Sequence, residues 1–279
     1  MRIRQNAATN VGMKILLRLL AAAAIAAVIG VAPAQAVIGG TPDTAHPYVG
    51  LVGFLDDQGD HLALCSGFLT SPTVFVTAGH CAGPLVPGAQ GLPGAVPTFA
   101  FIWFGAGPVD THTTPPDAVG IPTVDPAWNG VIGEHDLGYV RIVGTTDPDF
   151  DLNALGHATL AAPGYLDGIA KKRGQHDVSF TAVGYGATDI SPAGVVSPIM
   201  RMAGAMQLEK LTDTLLQTTA SPGNGTGGAA TCKGDSGGPL FNSAGDVVAL
   251  VSGGLKFCNG KAGDFRLDTA EAQSFIPGQ

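Results

Sequence analysis

Late in the chain a serine stands between glycines, in Thr231-Cys232-Lys233-Gly234-Asp235-Ser236-Gly237-Gly238-Pro239-Leu240. Glycines on both sides leave its hydroxyl unscreened and let the backbone turn so that successive N–H groups converge on one spot. The segment therefore reads as a nucleophile with an anion trap beside it. Gly234-Asp235-Ser236-Gly237-Gly238 also satisfies the G-x-S-x-G elbow of α/β-hydrolases, whose triads run serine, acid, histidine along the chain. Chain order excludes that triad, because the last histidine is His176 and none follows Ser236. A base and an acid for Ser236 must both come from earlier in the sequence.

What precedes the serine is built for strands. Gly (41) and Pro (20) are abundant while charged residues are only 13% of the 279, which suits many short strands joined by turns better than long surface helices rich in Glu and Lys. A hydrophobic fraction of 45% is enough to bury a substantial core at this length. The net charge is −8, but Arg2, Arg4, Lys14 and Arg18 all fall in the first 36 residues with no acid among them. The remainder thus carries 10 basic and 22 acidic residues, a net −12. An acidic body argues against nucleic acid as a partner.

Residues 1–36 read as a secretion signal. Basic residues lead into the apolar run from Leu19 to Ala32, and Ala34-Gln35-Ala36 supplies a small-x-small cleavage pattern. That run is shorter than the roughly 20 residues a spanning helix needs, so no stable membrane association is expected after cleavage. Met13-Lys14 looks like a more usual signal-peptide beginning than Met1. Four cysteines in an exported chain imply two bridges, with three pairings open. There is no CxxC pair, and neither metal nor cofactor is expected.

Strand-like runs lie at Tyr48 to Phe54 and Leu62 to Leu69, with the turn Asp56-Asp57-Gln58-Gly59-Asp60 between them. The run Thr73-Val74-Phe75-Val76-Thr77 delivers Ala78-Gly79-His80-Cys81, and further strands are expected over Thr98 to Phe104, after Asp136, and over Val178 to Gly186 and Val247 to Gly254. Met200 to Leu211 is helical by period, though on no clean stripe. Asp147, Asp149 and Asp151 alternate as in a calcium loop, but Leu152 stands where the turn glycine belongs and Ala158 where the bidentate glutamate belongs; a solvated acidic turn fits better. Asn224-Gly225-Thr226 is a glycosylation sequon on paper. Asp268-Thr269-Ala270-Glu271 has capping-box spacing and predicts a short terminal helix.

Three segments, in order, resemble the trypsin/chymotrypsin family: Val37-Ile38-Gly39-Gly40, Thr77-Ala78-Gly79-His80-Cys81, and the decapeptide around Ser236. Asp136-Leu137-Gly138-Tyr139-Val140 and Val183-Gly184-Tyr185-Gly186 are similar to two further segments of that family. The resemblance implies an all-β fold of two six-stranded antiparallel β-barrels packed face to face, roughly 37–160 and 161–279, with a short C-terminal helix. It makes Met200 to Leu211 a strand, and it selects the pairings Cys65–Cys81 and Cys232–Cys258. It implies His80 as base, Asp136 as orienting acid with Glu134 and Asp125 as fallbacks, and Ser236 as nucleophile. The Gly234 and Ser236 amides would form the oxyanion hole, and a freed Val37 ammonium would pair with Asp235. Ala230, Ser252, Gly254 and Gly263 would line the substrate pocket, whose lack of a basal carboxylate favours an apolar or aromatic side chain before the scissile bond. Gly253 stands where that family has tryptophan, so the cleft is expected to lose an aromatic plate. The implied function is a secreted, monomeric serine endopeptidase acting on proteins or peptides. Two alternatives are a non-catalytic secreted binding protein on the same fold and an esterase.

Overall fold

A computed structural model describes residues 37–84, 95–169, 178–186, 190–191, 194–195, 199–220, 229–254, 258 and 260–279. The chain divides into a unit of residues 1–33 and a unit of residues 34–279. The expected signal segment and the Asn224 sequon lie outside the described residues.

After the two-residue strand β1 (Thr41–Pro42), six antiparallel strands close a first barrel: β2 (Val49–Leu55), β3 (His61–Ser71), β4 (Val74–Thr77), β5 (Phe99–Trp103), β6 (Ala118–Val124) and β7 (Gly138–Thr145), in the order β2-β3-β4-β7-β6-β5. The β2–β3 hairpin is set by Asp56, whose Oδ1 accepts from the Gln58 and Asp60 amides, while Gly59 supplies the left-handed turn residue at φ 86°. Every residue of β2 and of β4 is buried, which is why both read as unbroken apolar runs. Gly67 of β3 faces Phe75, and a Cβ there would sit 2.3 Å from the ring, so the aromatic fills the barrel only because position 67 has no side chain.

The second barrel uses β8 (Ser179–Gly184), then, after a small hairpin of β9 (Ile190–Ser191) and β10 (Gly194–Val195), β11 (Met202–Leu211), β12 (Leu215–Ala220), β13 (Pro239–Phe241), β14 (Val247–Gly254) and β15 (Gly260–Arg266). These six close as β8-β11-β12-β15-β14-β13, with β1 appended to β11. The helical periodicity of Met200 to Leu211 is overruled, and the segment is strand as the family resemblance implied. It pairs on one side with β8 and on the other with β12, and a bulge between Leu208 and Lys210 breaks the two-residue alternation that would have marked it as a strand. One apolar cluster runs from the first barrel, through Phe68, Phe75 and Ile102, into Val183, Leu250 and Phe265 of the second.

The terminal helix spans Ala270–Phe275, but its cap is one residue later than the capping-box spacing suggested. Thr269 accepts from the Ala272 amide, whereas Asp268 is drawn inward to Arg266 and the Leu166 amide. The Asp147–Asp151 turn is exposed, and Asp151 caps a 3₁₀ turn over Leu152–Leu155.

Asp264 of β15 is fully buried. One carboxyl oxygen accepts from Thr218 Oγ1 at 2.8 Å and the other has no partner, and burial pushes its pKa up to about 7 despite that hydroxyl. The native state therefore holds this proton more tightly than the unfolded chain does. Its effect on stability is nil below the unfolded pKa near 3.8 and becomes an increasing penalty as pH rises toward about 7. Asp264→Asn is expected to flatten that decline and to raise the melting temperature at pH 7.5 relative to pH 4.5, by an amount on the order of a few kcal/mol in stability. Thermal unfolding of parent and variant at the two pH values checks this, and parallel curves would refute it.

Candidate active site

The β4 strand ends at Thr77 and runs into the single helical turn Gly79–Ala82, which carries His80. The Cys65–Cys81 disulfide ties that turn to β3. His80 meets Asp136 twice: its amide donates to Oδ1 at 2.7 Å, and its Nδ1 lies 2.8 Å from Oδ2 and 3.1 Å from Oδ1. Because a carboxylate only accepts, this geometry puts the neutral ring's proton on Nδ1 and leaves Nε2 as the basic nitrogen. Asp136 is fully buried, and Ser252 Oγ donates to the same Oδ2. The approach needs glycine at position 79, since a Cβ there would stand 2.8 Å from the Leu137 amide. His135, just before the acid, is held at φ 50°, and the Leu137 amide donates back to the His135 carbonyl in a tight turn. The carboxylate beside His80 is thus that of Asp136. Asp125 instead holds the Ala127 amide and approaches His135, and Glu134 accepts from Asn129.

Ser236 sits on a turn stapled from several sides. The Asp235 amide donates to the Cys232 carbonyl at 3.0 Å, the Gly237 amide to Val251, the Gly238 amide to Asp235, and the Ser66 amide to the Ser236 carbonyl at 2.8 Å. Gly234 and Gly237 take φ of 95° and 82°, which a side chain would resist. Among the described residues the Gly234 and Ser236 amides have no acceptor, as an anion site requires. The Cys232–Cys258 disulfide braces the turn. Both bridges match the pairings that the family resemblance selected.

Asp235 points away from Ser236 into the protein and is fully buried. Burial raises its pKa to about 7, against the pull of backbone amides from Cys232, Gly186 and Val37. The glycines of Val183-Gly184-Tyr185-Gly186 make room for it: a Cβ at Gly184 or Gly186 would fall 2.3 or 2.4 Å from a carboxylate oxygen. Val37 is itself fully buried, at a φ of 48° that a β-branched residue rarely adopts.

His80, Ser236, Ser252 and Gly254 line one cleft of about 190 Å³. No hydrogen bond joins Ser236 to His80 among the described residues, a separation common before substrate arrives. The expected pocket residues divide. Gly254 lines the cleft, and the Ser252 hydroxyl turns to Asp136. Gly263 instead lines an adjoining groove of about 310 Å³ with Leu215, Gln217 and Ile132. Ala230 faces a space of only about 10 Å³ beside Thr231, Cys258 and Ala262, its amide donating to the Ile38 carbonyl at 2.8 Å. Ile132, Gly253 and Gly254 line both the cleft and the groove, so the two adjoin. The cleft does not simply lose a plate at Gly253: Ile132 packs there, its Cγ2 2.6 Å from where a Cβ would be. Ile132 was missed from sequence. The signal was an apolar pair, Val131-Ile132, exposed in a loop just before the acid. Cys65, His80 and Cys81 bring their ligating atoms within 4.8 Å of one another, but the two sulfurs are spent on each other.

A family model described as Trypsin matches residues 124–276, a span that contains Asp136 and Ser236 and begins after His80. No curated protein matches the chain. Among solved structures, a Glu endopeptidase in complex with MPD is 14% identical with a TM-score of 0.55, covering 86% of this chain and 96% of that one. HL collagenase is 15% identical with a TM-score of 0.59 over 83% of this chain and 94% of its own. GrC is 16% identical with a TM-score of 0.57 over 86% and 97%. At these identities the likeness is one of fold. Among the described residues, no helix is long and apolar enough to cross a membrane.

Proposed function

This chain belongs to the trypsin family of serine proteases, and on that premise we propose that it is an exported serine endopeptidase working through His80, Asp136 and Ser236. The observation that carries the reading is His80 Nδ1 on the buried Asp136 carboxylate, 2.8 Å away, in a cleft that the imidazole shares with Ser236. A serine hydroxyl attacks a peptide carbonyl only as its proton leaves, and His80 Nε2 accepts that proton. Asp136 holds the tautomer and offsets the imidazolium charge. The oxygen of the tetrahedral intermediate takes the Gly234 and Ser236 amides, which have no other acceptor among the described residues. Collapse expels the amine with the proton from His80, and water then repeats the sequence on the acyl-enzyme.

Activation follows from Val37. Removal of residues 1–36 as a signal peptide would convert its amide into an ammonium beside a buried carboxylate that otherwise favours its neutral form. The cut also abolishes the torsion that is strained at Val37, since a first residue has no φ. An ion pair between Val37 and Asp235 then fixes the turn that aims the Gly234 amide. Ala230 stands where a basal carboxylate would favour Arg or Lys, and its lack of charge supports a preference for apolar or aromatic side chains, with proteins or peptides as substrates of a monomeric enzyme. A non-catalytic binding protein is disfavoured because no member of the triad is replaced.

Digestion of casein by protein whose first residue is Val37, followed by a peptide panel varied at the residue before the cut, tests this. Cleavage after apolar residues is expected. Hydrolysis of small esters but of no peptide would make it an esterase, no hydrolysis at all would make it a binding protein, and cleavage only after Arg or Lys would overturn the pocket assignment.

A further inference from the structure

Ser66 lies on β3, next to the disulfide-bonded Cys65, and is fully buried at the junction of the two barrels. Four hydrogen bonds converge on this one residue. Its amide donates to the Ser236 carbonyl at 2.8 Å, and its carbonyl accepts from Thr77 Oγ1 at 2.8 Å. Its hydroxyl accepts from the Tyr185 amide at 2.8 Å and donates to the Gly234 carbonyl at 2.7 Å. The roles at the hydroxyl are not interchangeable. A backbone amide only donates and a carbonyl only accepts, so the single hydroxyl proton is committed to Gly234.

Ser66 therefore grips the nucleophile turn at two points, Gly234 and Ser236, and these are the residues whose amides have no acceptor among the described residues. The Gly234 carbonyl belongs to the peptide that joins Gly234 to Asp235, and Gly234 sits at φ 95°, where glycine moves freely. Backbone torsion at a glycine is a soft coordinate, and nothing on Gly234 itself restrains it. The partner that does is the Ser66 hydroxyl, which is in turn oriented by Tyr185, the residue whose neighbour Gly186 donates to Asp235. Glycine packing leaves this hydroxyl its place, since a Cβ at Gly184 would stand 3.2 Å from it.

We propose that Ser66 is a positioning residue of the hydrolytic reaction, its hydroxyl holding the Gly234 peptide so that the Gly234 and Ser236 amides meet the tetrahedral oxygen together. The proposal rests on the serine-protease reading above. It concerns the transition state more than the ground state, because the oxygen reaches full hydrogen-bonding strength only when it carries charge. Loss of the hydroxyl leaves the substrate contacts of the cleft intact and lets the anion trap drift.

Ser66→Ala is expected to lower kcat about 10- to 100-fold with KM within about threefold of the parent. It is also expected to weaken binding of a peptide boronic acid, whose tetrahedral adduct occupies the anion site, by a similar factor. Ser66→Thr keeps the hydroxyl and is expected to hold kcat within about threefold. A folded Ser66→Ala enzyme with parental kcat would overturn the proposal, as would equal losses in the Ala and Thr variants or a loss confined to KM. A parent that cleaves no peptide or ester would sink the protease reading itself, whereas an active parent matched by Ser66→Ala would sink this proposal alone.

Discussion

Ser236→Ala lowers kcat for peptide hydrolysis by about 10⁴-fold or more and leaves a folded protein with an unchanged melting profile. The size follows from the chemistry: without the hydroxyl there is no acyl-enzyme, and only water activated in a cleft shaped for the transition state remains. The small structural effect follows from the position. Ser236 is held through its backbone, with its carbonyl on the Ser66 amide, and no hydrogen bond to its hydroxyl is found among the described residues. Steady-state kinetics on a peptide substrate, with circular dichroism as the control for folding, is the measurement. A variant that keeps parental peptidase activity would remove Ser236 from the mechanism.

The second large effect is at Asp136. Asp136→Asn keeps the shape of the side chain and replaces an acceptor by a group that also donates. The 2.8 Å contact to His80 Nδ1 then favours the tautomer with its proton on Nε2, which cannot take the proton of Ser236. The expected loss in kcat at neutral pH is about 10⁴-fold. The substitution also disturbs the contacts from the His80 amide and the Ser252 hydroxyl, so a modest fall in stability accompanies it. Substituting Asp125 or Glu134 in the same way is expected to change kcat less than tenfold, because neither carboxylate reaches His80. A variant of Asp136 that loses no more than these controls would show that the acid lies elsewhere.

Much of this arrangement was legible from short segments, and the reason is local chemistry. His80 was recognisable because Gly79 and Cys81 flank it, and both are there for geometric reasons: one allows the Asp136 chain to approach, the other bolts the turn to β3. Ser236 was recognisable because its turn needs glycines at positive φ. The strands β2 and β4 were visible as wholly buried runs. What was hidden depends on partners far away in sequence. β11 looked helical because a bulge spoils its alternation, and only pairing with β8 and β12 makes it a strand. Which space Gly263 lines, the cleft or the groove beside it, is fixed by the register of β15 with β12 and β14. Ile132 at Gly253 and the Ser66 hydroxyl at Gly234 are contacts across the fold, and no spacing in the sequence encodes them. The cap of the last helix moved from Asp268 to Thr269 because Arg266 and the Leu166 amide hold the aspartate.

In the proposed reaction His80 activates Ser236 in the protein that begins at Val37. Reaction of that protein with a fluorophosphonate, followed by peptide mass spectrometry, tests it most directly. One phosphonyl adduct on Ser236 is expected, formed rapidly in the parent and at least about 100-fold more slowly in His80→Ala. An unlabelled Ser236 in the folded parent, or labelling at the same rate in both proteins, would contradict it.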